Sequence, residues 1–361
     1  MSDSLPGCRI ALRRYCVRMT EARRVRIGIL GAARIAPAAL VAPAREHAEA
    51  EVTAVAARDP LRARQFAEKY RIPVVHDGYE AMLADPDIDA VYIPLPNGLH
   101  GRWTRAALAA GKHVLCEKPF AADAAEAREI ARLAQGSGLV VMEAFHYRYH
   151  PLTRRVEEIV AGGELGTLSH VETAMCFPLP RFRDIRYDYG LAGGATMDAG
   201  CYAVHMARVY GAEQPEVVSA RALLRGPLID RAMTAELRFP SGHTGLIRCS
   251  MWSQDLLRLS ARIIGDRGEI RILNPVMPQM FHRVSIRTEH GRRTERFPRR
   301  STYAYQLDAF VSAVLDGTPV DTPPEDSVAT MTVIDAIYRA AGLPPRRPTA
   351  VATTEPGADL P

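Results

Sequence analysis

Lysine occurs at only three positions of this chain, Lys69, Lys112 and Lys118, and arginine supplies every other basic side chain. Lys118 closes a short apolar run, His113-Val114-Leu115-Cys116-Glu117-Lys118-Pro119, of the kind with which a buried parallel strand reaches the ligand-facing edge of an α/β sheet. Where arginine is the default cation, a lysine at a strand end suggests a task for which guanidinium is unsuited, because a desolvated ammonium can release its proton. A surface lysine capping the strand is the alternative, and position alone does not separate the two. A second group lies in Gly193-Gly194-Ala195-Thr196-Met197-Asp198-Ala199-Gly200-Cys201-Tyr202-Ala203-Val204-His205. A helix starting near Asp198 puts Asp198, Tyr202 and His205 on one face at i, i+4 and i+7. In the competing reading Asp198 merely caps that helix, and the two rings fill core with satisfied polar tips. Brought together, lysine, acid and phenol would supply general acid/base chemistry beside a positive charge, as moving a proton on or off a hydroxyl requires.

The elements that would position these groups begin at Val25-Arg26-Ile27-Gly28-Ile29-Leu30, a strand that runs into the turn Gly31-Ala32-Ala33-Arg34-Ile35-Ala36 and then a helix. This is the strand-turn-helix setting of a dinucleotide fingerprint, with Gly31, Ala33 and Ala36 at the glycine positions. Alanine at the second and third still permits a nearby pyrophosphate and close helix packing; a plain turn without ligand is the alternative. The second strand, Glu51 to Arg58, ends without the carboxylate that would hold a ribose 2′-hydroxyl. Arg58, and Arg62 one helical turn on, suit a 2′-phosphate, so NADP is expected rather than NAD. Against this, Arg58 is one arginine among many and precedes Asp59-Pro60, a helix N-cap and N1 pair.

Further strands at Val74-Val75, at Ala90 to Leu95 leading into Pro96-Asn97-Gly98-Leu99-His100, at 113 to 119 and at 139 to 145 alternate with helical stretches. Residues 24–146 therefore read as a doubly wound parallel sheet whose strand ends carry Gly31, Arg58, Leu95, Asn97, Lys118 and Glu143. After a helix over 151–160, strand-like runs at 167–177, 215–225, 231–239, 243–252, 258–272 and 283–297 follow one another without enough helices for βαβ units. They predict a large, mostly antiparallel sheet, completed by helices near 303–316 and 325–341. The fold class is thus α/β: a Rossmann-type domain at 24–146 and an α+β domain at 147–343. Residues 344–361, rich in Pro, Thr and Ala, read as a disordered tail. Residues 1–23, arginine-rich and unpatterned, read as a disordered extension or the result of a start placed before Met19.

At 361 residues, 47% hydrophobic and 24% charged, the chain has room for two globular domains. Its arginines alternate with carboxylates, so the net charge of +5 is not gathered into a nucleic-acid footprint. No apolar run approaches the roughly 20 residues of a membrane span. The six cysteines are scattered, with neither C-x-x-C nor zinc-finger spacing, which fits free thiols in a reducing cytoplasm and no metal site.

Four stretches together resemble the glucose-fructose oxidoreductase/inositol dehydrogenase/MocA (Gfo/Idh/MocA) family. They are Gly-Ile-Leu-Gly-Ala-Ala-Arg-Ile-Ala, Leu-Pro-Asn-Gly-Leu-His, Ala-Gly-Lys-His-Val-Leu-Cys-Glu-Lys-Pro and Met-Glu-Ala-Phe-His-Tyr-Arg-Tyr-His-Pro. The likeness spans about residues 24 to 345 and is greatest to the branch of NADP-dependent sugar and dihydrodiol dehydrogenases, in which tyrosine stands at the position of Tyr202. It implies hydride transfer between the nicotinamide and a carbinol or carbonyl carbon of a carbohydrate. Tyr202 would be the acid/base, Lys118 would lower its pKa and polarise the substrate oxygen, and Asp198 would orient the pair. The same resemblance assigns Gly31, Ala32, Ala33, Arg34, Ile35, Arg58, Arg62, Leu95, Asn97, His100, Glu117, Lys118 and Glu143 to the cofactor. Tyr147, Arg148, Phe177, Trp252 and His205 would face the sugar. It further implies a cis Lys118-Pro119 bond and a homodimer or homotetramer paired through the second sheet. A deoxysugar 3-ketoreductase and a nonenzymatic NADP or sugar sensor are the rival functions on the same fold.

Overall fold

The computed structural model describes residues 24–350; the expectations for 1–23 and for 351–361 fall outside them. Strands β1 (Val25–Leu30), β2 (Ala50–Ala56), β3 (Val74–His76), β4 (Ala90–Ile93), β5 (His113–Cys116) and β6 (Val141–Glu143) form a six-stranded parallel sheet in the order β3-β2-β1-β4-β5-β6. Helices α1 (Ala42–Glu46), α2 (Pro60–Tyr70), α3 (Tyr79–Leu83), α4 (His100–Ala109) and α5 (Ala124–Gln135) lie between them in sequence. The strand order reverses between β1 and β4, so a crevice opens at their carboxyl ends. Ile27, Ile29, Val55 and Leu115 belong to one apolar cluster and Leu30, Ala54, Val91 and Val114 to the other. Burial on both faces explains why these strands read as continuous apolar runs. Asp59 caps α2 by accepting from the N–H groups of Leu61 and Arg62, and Asp123 caps α5 by accepting from Glu126.

The second sheet holds β7 (Leu168–Cys176), β8 (Glu216–Leu224), β9 (Asp230–Arg238), β10 (Thr244–Ser250), β11 (Arg258–Gly265), β12 (Gly268–Leu273), β13 (Arg283–Thr288) and β14 (Gly291–Glu295). Their order is β14-β13-β12-β11-β7-β10-β9-β8, antiparallel except for the parallel β7–β10 pair. The runs expected at 258–272 and 283–297 are each two strands, folded back at Asp266-Arg267 and at Glu289-His290. Gly-Asp-Arg-Gly and Glu-His-Gly carry the turn chemistry, and the apolar pattern continues through both turns and hides them.

Helix α6 (Pro151–Ala161) precedes the second sheet, and α7 (Cys201–Gly211), α8 (Thr302–Asp316) and α9 (Pro324–Ala340) complete the molecule. Helix α7 lies against one face of the second sheet, where the Thr173 hydroxyl donates to the Ala203 carbonyl at 2.8 Å. The expected division at 146/147 is crossed by α8, which buries Leu307, Phe310 and Val311 in the same cluster as Ile27, Ile29 and Leu40 of the first domain. A helical pattern shows that a face must be covered, not which sheet covers it.

Residues 344–350 are not the disordered start of a tail. Arg346 is 1% exposed; its guanidinium donates to Asp230 at 2.7 Å and to the Gly193 carbonyl at 2.6 Å. It stacks 4.1 Å from the Tyr338 ring centre. Thr349 then donates to the carbonyls of Gly98 and Gly190, both at 2.8 Å, and links the β4 turn of the first domain to the loop ahead of α7. One buried ion pair outweighs a composition that otherwise signals disorder.

Candidate active site

At the end of β1, Gly31 adopts φ +112, where an added Cβ would stand 2.9 Å from the Leu95 side chain. Only glycine is at ease there, and the turn it makes faces Leu95 across the β1/β4 crevice. Arg62 donates to the Ala32 carbonyl at 3.1 Å and thereby leans over this turn. Arg58 is exposed at the end of β2, with no ion-pair partner recorded among the described residues. The phenol of Tyr79, a residue the sequence reading passed over, sits between Arg58, Arg62 and Gly31; burial raises its pKa. A cradle closed to any Cβ, with two arginines at its rim and no carboxylate, fits a dinucleotide carrying a 2′-phosphate. Arg34, expected on the cofactor, lies 3.6 Å from Asp184 of the second domain, and Ile35 of the same turn is exposed.

The Lys118-Pro119 bond is cis, as expected. Lys118 reaches from the end of β5 to the segment ahead of α7, donating to the Asp198 carbonyl at 3.1 Å. Its ammonium lies 5.2 Å from the centre of the Tyr202 ring, over the face and not beside the hydroxyl. The Asp198 carboxylate accepts from Asn97 Nδ2 at 3.4 Å and pairs with Arg186 Nε at 3.4 Å. Burial raises the Asp198 pKa against the opposing charges of Lys118 and Arg186. Glu117 is likewise raised by burial, offset by Lys118, and accepts from the Tyr92 hydroxyl at 2.6 Å. Lysine, acid, phenol and Asn97 thus converge from separate elements, which no single motif contains.

The expected electrostatics of Tyr202 are reversed. Burial pushes its phenol well above the usual range, and Tyr303 and Glu117 add to the shift. The resting group is a neutral phenol, because taking the ring out of water costs the phenolate more than an ammonium over the ring face returns. Its hydroxyl meets His146 Nε2 at 3.1 Å.

Several expected contacts are corrected. Helix α7 is buried from Cys201 through Ala207, so the stripe that carries Asp198 and Tyr202 to the cleft carries His205 into the core. There His205 Nδ1 meets the Tyr147 hydroxyl at 2.5 Å and Nε2 meets Asp326 at 2.9 Å. Tyr147 and His205 are both fully buried and do not face a substrate. Arg148 is held by Glu157 at 2.5 Å. His100 meets two backbone carbonyls, Leu95 and Pro119, each at 2.7 Å, and has no nitrogen left for a cofactor. Burial lowers its pKa to about 4, so the neutral ring donates to one carbonyl at a time. Glu143 accepts from Phe120 N–H at 2.9 Å and from the Ser327 hydroxyl at 2.6 Å, which takes up both its oxygens. Phe177 is half-buried, its N–H donating to the Ser250 carbonyl. Trp252 packs edge-on against Phe182 at 6.2 Å, beside a cleft of about 510 Å³ lined by Phe182, Asp184, Tyr187, Tyr189 and Ile229. Asp184 pairs with Arg186, and Arg186 with Asp198, so this cleft adjoins the reacting groups. Among the described residues no group of His, Cys, Asp and Glu is placed to hold a metal.

A doubly wound domain with a glycine cradle, and a second domain that returns an acid and a phenol to a lysine at its strand end, define a dinucleotide-binding oxidoreductase. The chain belongs to the Gfo/Idh/MocA family: the model described as "Oxidoreductase family, NAD-binding Rossmann fold" matches residues 25–145, and that of the family's C-terminal domain matches 153–271. It is 39% identical over 315 residues to the D-xylose 1-dehydrogenase (NADP(+)) 2 of Haloferax volcanii, covering 87% of this chain and 96% of that one. It is 34% identical over 245 residues to the trans-1,2-dihydrobenzene-1,2-diol dehydrogenase of Macaca fascicularis, covering 64% and 68%. The crystal structure of a 3-ketoreductase from Actinomadura kijaniata with NADP and TDP-benzene superposes with a TM-score of 0.81 at 30% identity, covering 88% of this chain and 98% of that one.

Proposed function

We propose that the protein is an NADP-dependent dehydrogenase or reductase acting on a carbinol or carbonyl carbon of a sugar or related polyol. The observation that carries this is the convergence of Lys118, Asp198 and Tyr202 at the mouth of a crevice whose cofactor rim holds Arg58 and Arg62. Bound NADP supplies the hydride acceptor or donor. The chain's part is to hold the sugar oxygen and move its proton. Tyr202, a neutral phenol, donates to a carbonyl oxygen during reduction and takes back the hydroxyl proton during oxidation. Lys118, fixed by the Asp198 carbonyl, favours negative charge as it develops on that oxygen. Asn97 and Arg186 fix the Asp198 carboxylate and so the start of α7. The aromatic cleft of Phe182, Tyr187 and Tyr189 offers ring faces to the apolar side of a sugar.

Purified protein incubated with NADP and a panel of aldoses, and with NADPH and keto-sugars, tests this by nicotinamide absorbance. Turnover of at least one sugar is expected. Saturable cofactor binding with no turnover of any would make the protein a sensor. A deoxysugar 3-ketoreductase is the second reading, favoured by the likeness to the Actinomadura enzyme; turnover confined to keto-deoxysugars would select it. The described cysteines, Cys116, Cys176, Cys201 and Cys249, are unpaired, in keeping with the cytoplasm. No described helix is long and apolar enough to cross a membrane. Pairing of copies through the second sheet completes the proposal.

A further inference from the structure

The hydroxyl of Tyr202 has one protein partner among the described residues, and it is not the lysine. His146 Nε2 stands 3.1 Å from it, with the two rings edge-on at 5.8 Å. The other nitrogen of His146 lies 2.8 Å from the Thr302 hydroxyl at the start of α8. That hydroxyl accepts from Gln279 Nε2 at 3.2 Å. Tyr202, His146 and Thr302 are 6%, 2% and 0% exposed, whereas Gln279 is partly exposed. The chain Tyr202-His146-Thr302-Gln279 therefore leads from the reacting phenol towards the molecular surface, away from the substrate cleft.

We propose that His146 and Thr302 form a proton relay that discharges and recharges Tyr202 during turnover, with His146 acting through Tyr202 and not on the sugar. The proposal rests on the reading of Tyr202 as the acid/base. A buried phenol does not wait as a phenolate, so accepting the sugar's hydroxyl proton requires that it lose its own. Burial and the Lys118 charge lower the His146 pKa to about 3, so its ring is neutral at working pH, with one N–H and one lone pair on opposite edges. In oxidation the carbinol C–H bond breaks and its electron pair leaves as hydride for the nicotinamide. The O–H bond breaks as C=O forms, and that proton passes to the Tyr202 oxygen. The Tyr202 proton passes to Nε2, the Nδ1 proton to Thr302, and the Thr302 proton to solvent. Reduction runs the same transfers backwards. One proton is released for each hydride, and no group ends charged.

The other buried histidines nearby are unsuited to this. His205 is fixed by the Asp326 carboxylate, which holds one tautomer, and His100 faces carbonyls that have no proton to exchange. His146 lies between two hydroxyls, each able to donate or accept, so both tautomers are served.

The test compares wild type with His146→Gln, His146→Ala, Thr302→Val and Tyr202→Phe, measuring kcat and KM in H₂O and D₂O and NADPH binding by fluorescence. We expect the His146 and Thr302 variants to bind NADPH normally, to lose about tenfold or more in kcat with little change in KM, and to show an altered solvent isotope effect. Free imidazole should restore part of the His146→Ala activity. Near-normal kcat and isotope effect in His146→Gln and Thr302→Val, with Tyr202→Phe inactive, would overturn the relay and send the proton out through the cleft. Slow His146 variants with a wild-type isotope effect and no response to imidazole would make His146 structural and also overturn it. An active Tyr202→Phe would instead remove the parent reading. If the His146 variants fail to fold, Thr302→Val, which preserves volume, decides.

Discussion

Lys118 approaches Tyr202 over the ring, and its only described hydrogen bond is to the Asp198 carbonyl. That position suits a compact ammonium; a guanidinium is longer, planar and permanently charged. Lys118→Arg should cost kcat roughly a hundredfold, the scale of disabling one acid/base participant. NADPH titrated by fluorescence should bind as before. Near-normal turnover would reduce the lysine to a point charge. At the other end of the cofactor site, Arg58→Ala should weaken NADP by about 1.5 to 3 kcal/mol, one charge-assisted contact, and leave NAD nearly unchanged. Equal losses in paired titrations would sink the 2′-phosphate assignment. The scarcity of lysine flagged one further position, and there the task is structural: Lys112 is buried and donates to the carbonyls of Asp85 and Ile88 at 2.7 and 2.8 Å.

Two elements behave differently from their sequence signatures. The helix expected to open at Asp198 begins earlier, with a wide π-type turn over Thr196–Gly200, and the Asp198 N–H already donates to the Gly194 carbonyl at 3.0 Å. Asp198 is thus inside the helix and not its cap, and its carboxylate is free for Asn97 and Arg186. Such turns are frequent at functional sites. The strap of residues 344–350 depends on Arg346, whose partner Asp230 also accepts from Thr196 at the head of that turn. Arg346→Ala leaves a buried carboxylate uncompensated, which costs about 3 to 5 kcal/mol. Thermal unfolding should show this as a clear drop in Tm. Adding Asp230→Asn should recover part of it, and a double variant no better than the single would argue against the pair.

At the scale of the molecule, Glu143 fastens the end of the parallel sheet to the cis-proline loop through Phe120 and to α9 through Ser327. Burial pushes its pKa from 4.5 to about 8. The native state therefore keeps this proton up to about pH 8, whereas the unfolded chain loses it above about pH 4.5. Its contribution is full below the lower value and declines as pH rises to the upper one. Glu143→Gln, with no proton to lose, should match wild type near pH 4.5 and gain in relative Tm up to about pH 8; a constant offset would refute this. On the second sheet, Thr173 faces α7, so Glu172 must point the other way. There it meets Arg258 at 2.7 Å and Arg248, while Glu269 gathers Arg262, Arg271 and Arg287. Ion pairs shielded on an otherwise open sheet face suit a polar contact between copies. Sedimentation or light scattering should find a dimer or tetramer, and a monomer at micromolar concentration would exclude this pairing.

The parallel sheet, the glycine turn, the cis Lys118-Pro119 bond and the convergence of Lys118, Asn97, Asp198 and Tyr202 were all legible beforehand. Strand runs, caps and turns are local, and the motifs of a family record where its elements meet. Partner choice among buried polar groups was not legible. Whether His205 faces sugar or Asp326, whether Tyr202 bonds Lys118 or His146, and whether Arg346 trails in solvent or sits on Asp230 depend on residues 56 to 121 positions apart. Desolvation, which sets the protonation of Tyr202, His146 and Glu143, belongs to the packed interior, and no stretch of sequence carries it alone.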